Sequence, residues 1–176
     1  MSQPESASTQ TTGRWMIYAA CVLFLALGTW FFRTVIEDQR NPNQDLATRV
    51  DAGVREVTLE RNRQGQFVAS GAINGEPVTF MLDTGASDVS IPASVADRAG
   101  LERGSRVQYS TANGVMNAYT TRLDEVRIGG IRVSDIRGSI NPHVQFDQVL
   151  LGNSFLEQVE FTQRRNELII RQTVSR

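Results

Sequence analysis

Four pairs of short apolar runs, each pair separated by a turn of two or three residues, constrain the fold of this chain more than any other feature. Such spacing is typical of β-hairpins, and an Asn-Gly pair between the runs is the strongest short-range signal for one. Only residues 92–99 and about 154–158 carry a short helical pattern. The pattern therefore predicts an all-β domain, a small barrel or sandwich built from hairpins. The turns lie at Asn74-Gly75, Asn113-Gly114, Gly129-Gly130 and residues 164–166.

An uncharged apolar run at residues 15–32, bounded by Arg14 and Arg33, precedes this region. A helix of that length just spans the hydrocarbon core of a bilayer, which is about 30 Å thick. Aromatic residues near both ends of the run are typical of a membrane interface. We therefore expect four segments: a disordered tail at residues 1–14, a transmembrane anchor at 15–32, a flexible stalk at 33–54 and the β domain at 55–176.

Two other interpretations of the apolar run stay open. A buried helix of a soluble protein usually carries a polar stripe, which this run lacks. A cleaved signal peptide would use Ala26-Leu27-Gly28, whose outer residues are small, as its cut site, but three aromatic residues follow almost at once. The orientation is also open, because Arg33, Arg40 and Arg49 outnumber the single Arg14 on the other side. By the positive-inside rule, this count favours a cytoplasmic domain.

The composition excludes several kinds of chemistry. All 18 basic residues are arginine, so no lysine can form a Schiff base or serve a P-loop. The formal net charge of −1 gives no basic surplus for nucleic acid. Cys21 and His143 are the only residues of their types, so one chain cannot assemble a Cys/His zinc site. We expect no metal or other cofactor, and chemistry carried by carboxylates, hydroxyls and backbone groups.

The hexapeptide LDTGAS at residues 82–87 is the strongest candidate site, because it places a carboxylate at the end of an apolar strand. Burying a carboxylate is costly unless hydrogen bonds replace its lost water. Gly85 allows the backbone to turn sharply and to bring amide groups near Asp83. Asp and Gly are also common in ordinary turns, so a turn without chemistry is the alternative interpretation.

This hexapeptide resembles the active-site motif of retropepsin-like aspartic proteases. Residues 149–152, Val-Leu-Leu-Gly, resemble the apolar-apolar-Gly strand that supports the catalytic loop in that family. The order of strand, DTGAS, short helix, hairpin, LLG and helix matches the family over about residues 56–172. The bacterial membrane-anchored subgroup, whose soluble domain is taken to face the periplasm, is the most similar. The resemblance implies a retropepsin-like closed barrel with a flap hairpin, and a ψ-loop support formed by Leu150, Leu151 and Gly152.

The resemblance also implies a mechanism and a quaternary structure. Members of the family activate a water molecule between two Asp carboxylates, each from an Asp-Thr-Gly or Asp-Ser-Gly motif. This chain has one copy of the motif, with Asp83 as its catalytic residue. A symmetric homodimer supplies the second carboxylate. Thr84 is then expected to hydrogen-bond across the dimer axis, Gly85 to contact the substrate and Ser87 to hydrogen-bond Asp83. Asp88 is expected to be no more than a solvated neighbour.

The hairpin at Asn113-Gly114 lies where the family carries its flap, which implies Thr111, Asn113 and Gly114 as flap residues. An ordinary surface hairpin is the alternative, and Tyr109 and Tyr119 are then packing residues between neighbouring strands.

These observations favour a membrane-anchored, homodimeric aspartic endopeptidase of the bacterial inner membrane, with its catalytic domain in the periplasm and with proteins or peptides as substrates. A catalytically silent peptide-binding module of the same fold is the competing hypothesis, although a binding role does not require a carboxylate at this position. A serine hydrolase based on His143 is the third, and the chain lacks the G-x-S-x-G elbow that it would need.

Overall fold

A computed structural model describes residues 7–111, 114–144 and 146–174. Within these ranges the chain is mostly β, with one long and two short helices, as the sequence predicts. The helices are α1 (Ala7–Arg40), α2 (Ala93–Arg98) and α3 (Asn153–Leu156). The strands are β1 (Thr48–Asp51), β2 (Val54–Glu60), β3 (Val68–Ile73), β4 (Glu76–Leu82), β5 (Val89–Pro92), β6 (Arg106–Thr111), β7 (Gly114–Ile128), β8 (Ile131–Asn141), β9 (Gln148–Leu151), β10 (Glu160–Arg164) and β11 (Glu167–Thr173).

The strands form two sheets. A four-stranded antiparallel sheet has the order β1-β2-β11-β10, and a seven-stranded mixed sheet has the order β3-β4-β9-β5-β8-β7-β6. Strand β3 also pairs with β7, with Ala72 opposite Arg127 and Ile73 opposite Val126. This pairing closes six strands of the larger sheet into a ring, so the closed barrel follows from the hydrogen-bonded order itself.

The turn between β3 and β4 shows why the hairpin signals predict this fold. Ile73 pairs with Glu76, so the loop has two residues, Asn74 and Gly75. Both have positive φ, 50° and 86°, as the type I′ turn of a two-residue hairpin requires. The same turn is fixed to β7, because the Asn74 side-chain oxygen accepts a hydrogen bond from the Glu125 amide.

One hydrophobic core fills the β domain and fixes the strands that lead to the candidate site. Strand β4 buries Val78 and Phe80, and β9 buries Val149 and Leu151, so alternate residues of both strands face the core. Phe155 of α3 is fully buried in the same core. The core therefore holds β4, β9 and α3 together, and these three elements surround the LDTGAS segment. Its other large, fully buried members are Val57, Leu59, Ile73, Ile91, Leu123, Ile128, Ile131, Ile140 and Ile170.

Helix α1 and the β domain are two separate compact units, divided between Gln39 and Arg40. Over residues 14–40 the helix is long and apolar enough to cross a membrane. A signal sequence has the same length and composition, so the helix is compatible with either role.

Residues 33–54 differ from the flexible stalk that the sequence predicts. Helix α1 begins at Ala7, inside the expected disordered tail, and continues to Arg40, while Thr48–Asp51 form a strand. Asn43 lies between them and is only 4% exposed. Its amide nitrogen donates to the backbone oxygens of Glu60 and Val68, and its side-chain oxygen accepts from the Glu60 amide. These bonds fix the residues around Asn43 to the β domain, and the compact unit that holds the β domain begins at Arg40.

Candidate active site

The LDTGAS segment leaves the sheet where the parallel strands β4 and β9 end together. Met81 lies opposite Leu150 and Leu82 opposite Leu151. The Asp83 amide then donates to the Leu151 backbone oxygen at 3.1 Å. The apolar residues that precede Asp83 are thus held by the apolar residues that precede Gly152, which brings together two motifs that lie far apart in the sequence.

Asp83 is half-buried, and its carboxylate is fixed by its own loop. The Gly85 amide donates to Oδ1 of Asp83 at 2.9 Å, and the Ala86 amide donates to the Asp83 backbone oxygen at 3.2 Å. A backbone donor at this distance orients the carboxylate. Thr84 and Gly85 are exposed, so this face of the loop is open to a ligand or a partner.

The position of Ser87 corrects one expectation. Its hydroxyl forms no hydrogen bond with Asp83 among the bonds of the described residues, and the Gly85 amide holds the carboxylate instead. Ser87 contributes through its backbone, because its carbonyl oxygen accepts from the Ser154 amide at 3.2 Å. The hydroxyl itself lies at an exposed position.

Gly152 packs against the backbone of the loop that carries Asp83, and only glycine fits there. A Cβ atom at Gly152 would lie 2.2 Å from the backbone oxygen of Asp88 and 2.6 Å from that of Ala86. The Asn153 amide donates to the same Ala86 oxygen at 2.8 Å. The structure thus packs Gly152, which follows Leu150 and Leu151, directly against the candidate catalytic loop.

The expectation that Asp88 is a solvated neighbour is wrong, because Asp88 is only 4% exposed. Its Oδ2 accepts a short hydrogen bond of 2.5 Å from the Tyr109 hydroxyl, and its Oδ1 accepts from the Ser139 hydroxyl at 3.0 Å. Burial and the bond to Asp88 raise the pKa of Tyr109, so the phenol keeps its proton. The two partners lie 21 and 51 residues away in the sequence, and no local pattern marks them.

A cavity of about 390 Å³ opens beside Asp83. The guanidinium of Arg61 stacks on the Phe67 ring at 4.9 Å, and its buried Nε has no hydrogen-bond partner among the described residues. Phe161 reaches the cavity from β10 and is 43% exposed. The walls thus combine apolar surface with one cation. The other lining residues are Gly65, Gln66, Met81, Leu82, Thr84, Leu156, Gln163 and Leu168.

Two of the expected flap residues, Thr111 and Gly114, lie on the hairpin formed by β6 and β7. Thr111 pairs with Gly114, whose φ is 109°, and Asn113 lies outside the described residues. Tyr109 is more than a packing residue, since its hydroxyl reaches Asp88.

His143 is exposed after β8, and its described hydrogen bond runs from its backbone amide to the side-chain oxygen of Asn141. This arrangement gives no support to a triad based on His143.

Comparison with known proteins decides the family. The family model described as "gag-polyprotein putative aspartyl protease" matches residues 69–158. This match covers half of the chain and includes the loop at Asp83, the β6–β7 hairpin and Gly152. The chain belongs to the retropepsin-like aspartic proteases. The family and the fold inferred from LDTGAS and LLG are therefore confirmed.

A solved structure and two curated relatives agree with this family. The retropepsin-like aspartic protease from Rickettsia conorii superposes with a TM-score of 0.57 at 30% identity, over 72% of this chain and 95% of that one. An uncharacterised protein from the cobV 5′ region of Sinorhizobium sp is 32% identical over 118 residues, 65% of this chain and 51% of that protein. The uncharacterised protein RP867 of Rickettsia prowazekii (strain Madrid E) is 31% identical over 121 residues, 66% of this chain and 51% of that protein. The chain thus spans about half the length of these curated relatives.

Proposed function

We propose that this retropepsin-like chain is a membrane-anchored aspartic endopeptidase, and that Asp83 from two identical chains forms its active site across a two-fold axis. The observation that carries the proposal is the half-buried Asp83 carboxylate, held by the Gly85 amide on a loop that packs on Gly152. Membership of an aspartic protease family supports the same chemistry. The sequence has one Asp-Thr-Gly motif, so each chain supplies one carboxylate and a working pair requires two chains.

The chemistry of such a pair follows from its charge. Two carboxylates about 3 Å apart cannot both ionise, so they share one proton. The ionised Asp83 takes a proton from a water molecule as that water attacks the peptide carbonyl carbon. The protonated Asp83 donates its proton to the carbonyl oxygen. When the tetrahedral intermediate collapses, the Asp83 that took the water proton gives it to the amide nitrogen, and the other Asp83 takes back a proton from a hydroxyl of the intermediate. The C–N bond then breaks, the products are an amine and a carboxylic acid, and no covalent bond forms between enzyme and substrate.

The surface around Asp83 is suited to a second copy of the chain. Thr84 is exposed beside Asp83, where an axis through the pair of loops would pass. Strand β10 is an edge of the four-stranded sheet, and all five of its residues are exposed. An edge strand offers unpaired amide and carbonyl groups that another chain can bind. Phe161 on this strand adds apolar surface next to the cavity at Asp83.

The apolar helix supports a location at the membrane. We propose that α1 stays attached as a single span of the bacterial inner membrane and that the β domain lies in the periplasm. The Arg count around the helix favours the opposite orientation. A reporter enzyme that is active only in the periplasm, fused after Arg176, should be active in the full chain. An inactive periplasmic fusion, with an active cytoplasmic one, would overturn this part of the proposal.

The experiment that tests the activity compares two carboxylate variants of the full chain in detergent. Denatured casein is the probe, because an unfolded protein presents many extended segments. Asp83→Asn keeps the size of the side chain but removes the charge, and it should abolish cleavage. Asp124→Asn makes the same change at an exposed position on β7, and it should cleave like the wild type. Wild-type protein that leaves casein intact over pH 4–8, or that cleaves as fast with Asp83→Asn, would overturn the proposal.

A further inference from the structure

The buried carboxylate of Asp88 links two parts of the fold that the chain keeps apart. On one side, the Asp88 backbone packs on Gly152. The carbonyl oxygen of Ser87, which precedes Asp88, accepts a hydrogen bond from the Ser154 amide of α3. On the other side, the Asp88 carboxylate receives the hydroxyl of Tyr109 from β6. Asp88 therefore joins the rigid support of the catalytic loop to the hairpin formed by β6 and β7.

The charge of Asp88 makes this connection strong. A buried carboxylate needs donors, and Asp88 has the hydroxyls of Tyr109 and Ser139. No arginine forms an ion pair with Asp88 among the described residues. Hydrogen bonds to a charged acceptor are roughly twice as strong as those between neutral groups. Loss of the Tyr109 hydroxyl would leave the carboxylate with one of its two donors.

Strand β7, the second strand of the hairpin, is also held to the barrel, at the residue opposite Tyr109. Tyr109 lies directly opposite Met116 in the β6–β7 register, so the two side chains share one face of the hairpin. The Met116 sulfur accepts a hydrogen bond from the side-chain amide of Asn141, which is 2% exposed at the end of β8. The Tyr109–Met116 pair thus fixes both strands of the hairpin, β6 through Asp88 and β7 through Asn141.

We propose that Tyr109 is a positioning residue, whose hydrogen bond to Asp88 holds the β6–β7 hairpin in place relative to Asp83 so that the hairpin and the catalytic loop contact the same bound peptide. This inference rests on the proposed peptidase function. Tyr109 acts through Asp88 and takes no part in the chemistry at Asp83. Its loss should therefore weaken peptide binding more than it slows hydrolysis.

The test compares Tyr109→Phe with Tyr119→Phe in the full chain in detergent. Each variant removes one hydroxyl from the same hairpin, but Tyr119 pairs with Arg106 and packs against the core. The probe is a quenched fluorescent peptide copied from a site that the wild type cleaves in casein. Tyr109→Phe should raise KM about tenfold, as expected for the loss of one charged hydrogen bond. Its kcat should stay within about twofold of the wild type, and Tyr119→Phe should match the wild type in both constants.

A readout independent of activity separates this inference from the proposed function. Amide hydrogen exchange across β6 and the first residues of β7 should be about tenfold faster in Tyr109→Phe than in Tyr119→Phe. That difference in a chain that cleaves nothing would support the positioning role while the peptidase proposal fails. Unchanged exchange and KM in Tyr109→Phe would overturn the inference, and so would a fall in kcat at constant KM.

A double-mutant cycle tests whether the effect of Tyr109→Phe runs through Asp88. In an Asp88→Asn background the buried charge is already gone, so adding Tyr109→Phe should change exchange and KM by less than twofold. Non-additive effects of this kind support a role that runs through Asp88. Fully additive effects would show that the Tyr109 hydroxyl acts independently of Asp88 and would overturn the inference.

Discussion

Replacing Gly152 with alanine should disable the catalytic loop, because a methyl group at this position has no room. Its Cβ would lie 2.2 Å from the backbone oxygen of Asp88 and 2.6 Å from that of Ala86, where ordinary contact begins at 3.4 Å. Both oxygens belong to the backbone, so no side-chain rotation can relieve the conflict. The loop that carries Asp83 must therefore shift by about 1 Å relative to β9.

A shift of this size has consequences for both stability and rate. Overpacking a close-packed site lowers the free energy of unfolding by about 1–3 kcal/mol. Displacing a catalytic group by about 1 Å costs on the order of 100-fold in rate. We therefore expect Gly152→Ala to lower kcat/KM for the fluorescent peptide about 100-fold, under conditions in which circular dichroism shows the chain to be folded.

Gly71→Ala is the matched control for this prediction. Its Cβ would lie 2.2 Å from the backbone oxygen of Arg127 and 2.7 Å from the Phe80 ring, so the steric conflict is as severe. The backbone part of this conflict falls where β3 meets β7 and not at the loop that carries Asp83. Both variants should unfold at lower urea concentration than the wild type, and only Gly152→Ala should lose activity per folded molecule. Equal kcat/KM in the two variants would refute the link between Gly152 and the position of Asp83.

Two further predictions concern buried polar groups. Because the pKa of Tyr109 is raised, its hydroxyl contributes fully to stability below the ordinary tyrosine pKa of 10.0, and this contribution is lost as the pH rises through the raised value. In a titration followed by tyrosinate absorbance, one phenol should ionise later than the others, and Tyr109→Phe should abolish that late step; persistence of the step would assign it elsewhere. Asn43→Ala should lower the free energy of unfolding by about 1–3 kcal/mol in urea, because it leaves the Glu60 and Val68 backbone groups unpaired. Asn41→Ala removes two bonds, one to the Ser70 hydroxyl and one from the Asn43 amide. It should still cost less because it leaves the Glu60 and Val68 groups paired, and an equal cost would contradict the assigned role of Asn43.

The conformation of the LDTGAS loop could be predicted because its determinants are contiguous. A carboxylate at a strand end needs a nearby backbone donor, and Gly85 supplies it two residues later. The Asn74-Gly75 hairpin is local for the same reason, since its positive φ angles select these residue types. Such features leave a pattern in a short stretch of sequence, and the fold and the position of Asp83 follow from them.

The interactions that escaped prediction join residues that are far apart in the chain. Asp88 resembles any exposed Asp until the fold brings Tyr109 and Ser139 to it. Asn43 lies in a polar segment whose composition is typical of a linker, and its partners Glu60 and Val68 belong to two different strands. The Ser87 hydroxyl was assigned to Asp83 by resemblance, whereas the geometry of this loop gives that bond to the Gly85 amide. Tertiary structure decides each of these cases.

A subunit-mixing experiment tests the central claim, a shared pair of Asp83 carboxylates, most directly. Wild-type chain in detergent is held at a fixed concentration, mixed with increasing amounts of Asp83→Asn and left until subunits exchange. At equal amounts, random exchange places about half of the wild-type chains in mixed pairs that hold one carboxylate. Activity should then fall to about half and continue to fall as more Asp83→Asn is added. The same additions of Asp124→Asn, which is expected to cleave like the wild type, should not reduce it. Wild-type activity that stays constant at every ratio of Asp83→Asn, with mixed pairs detected by mass spectrometry, would contradict the account.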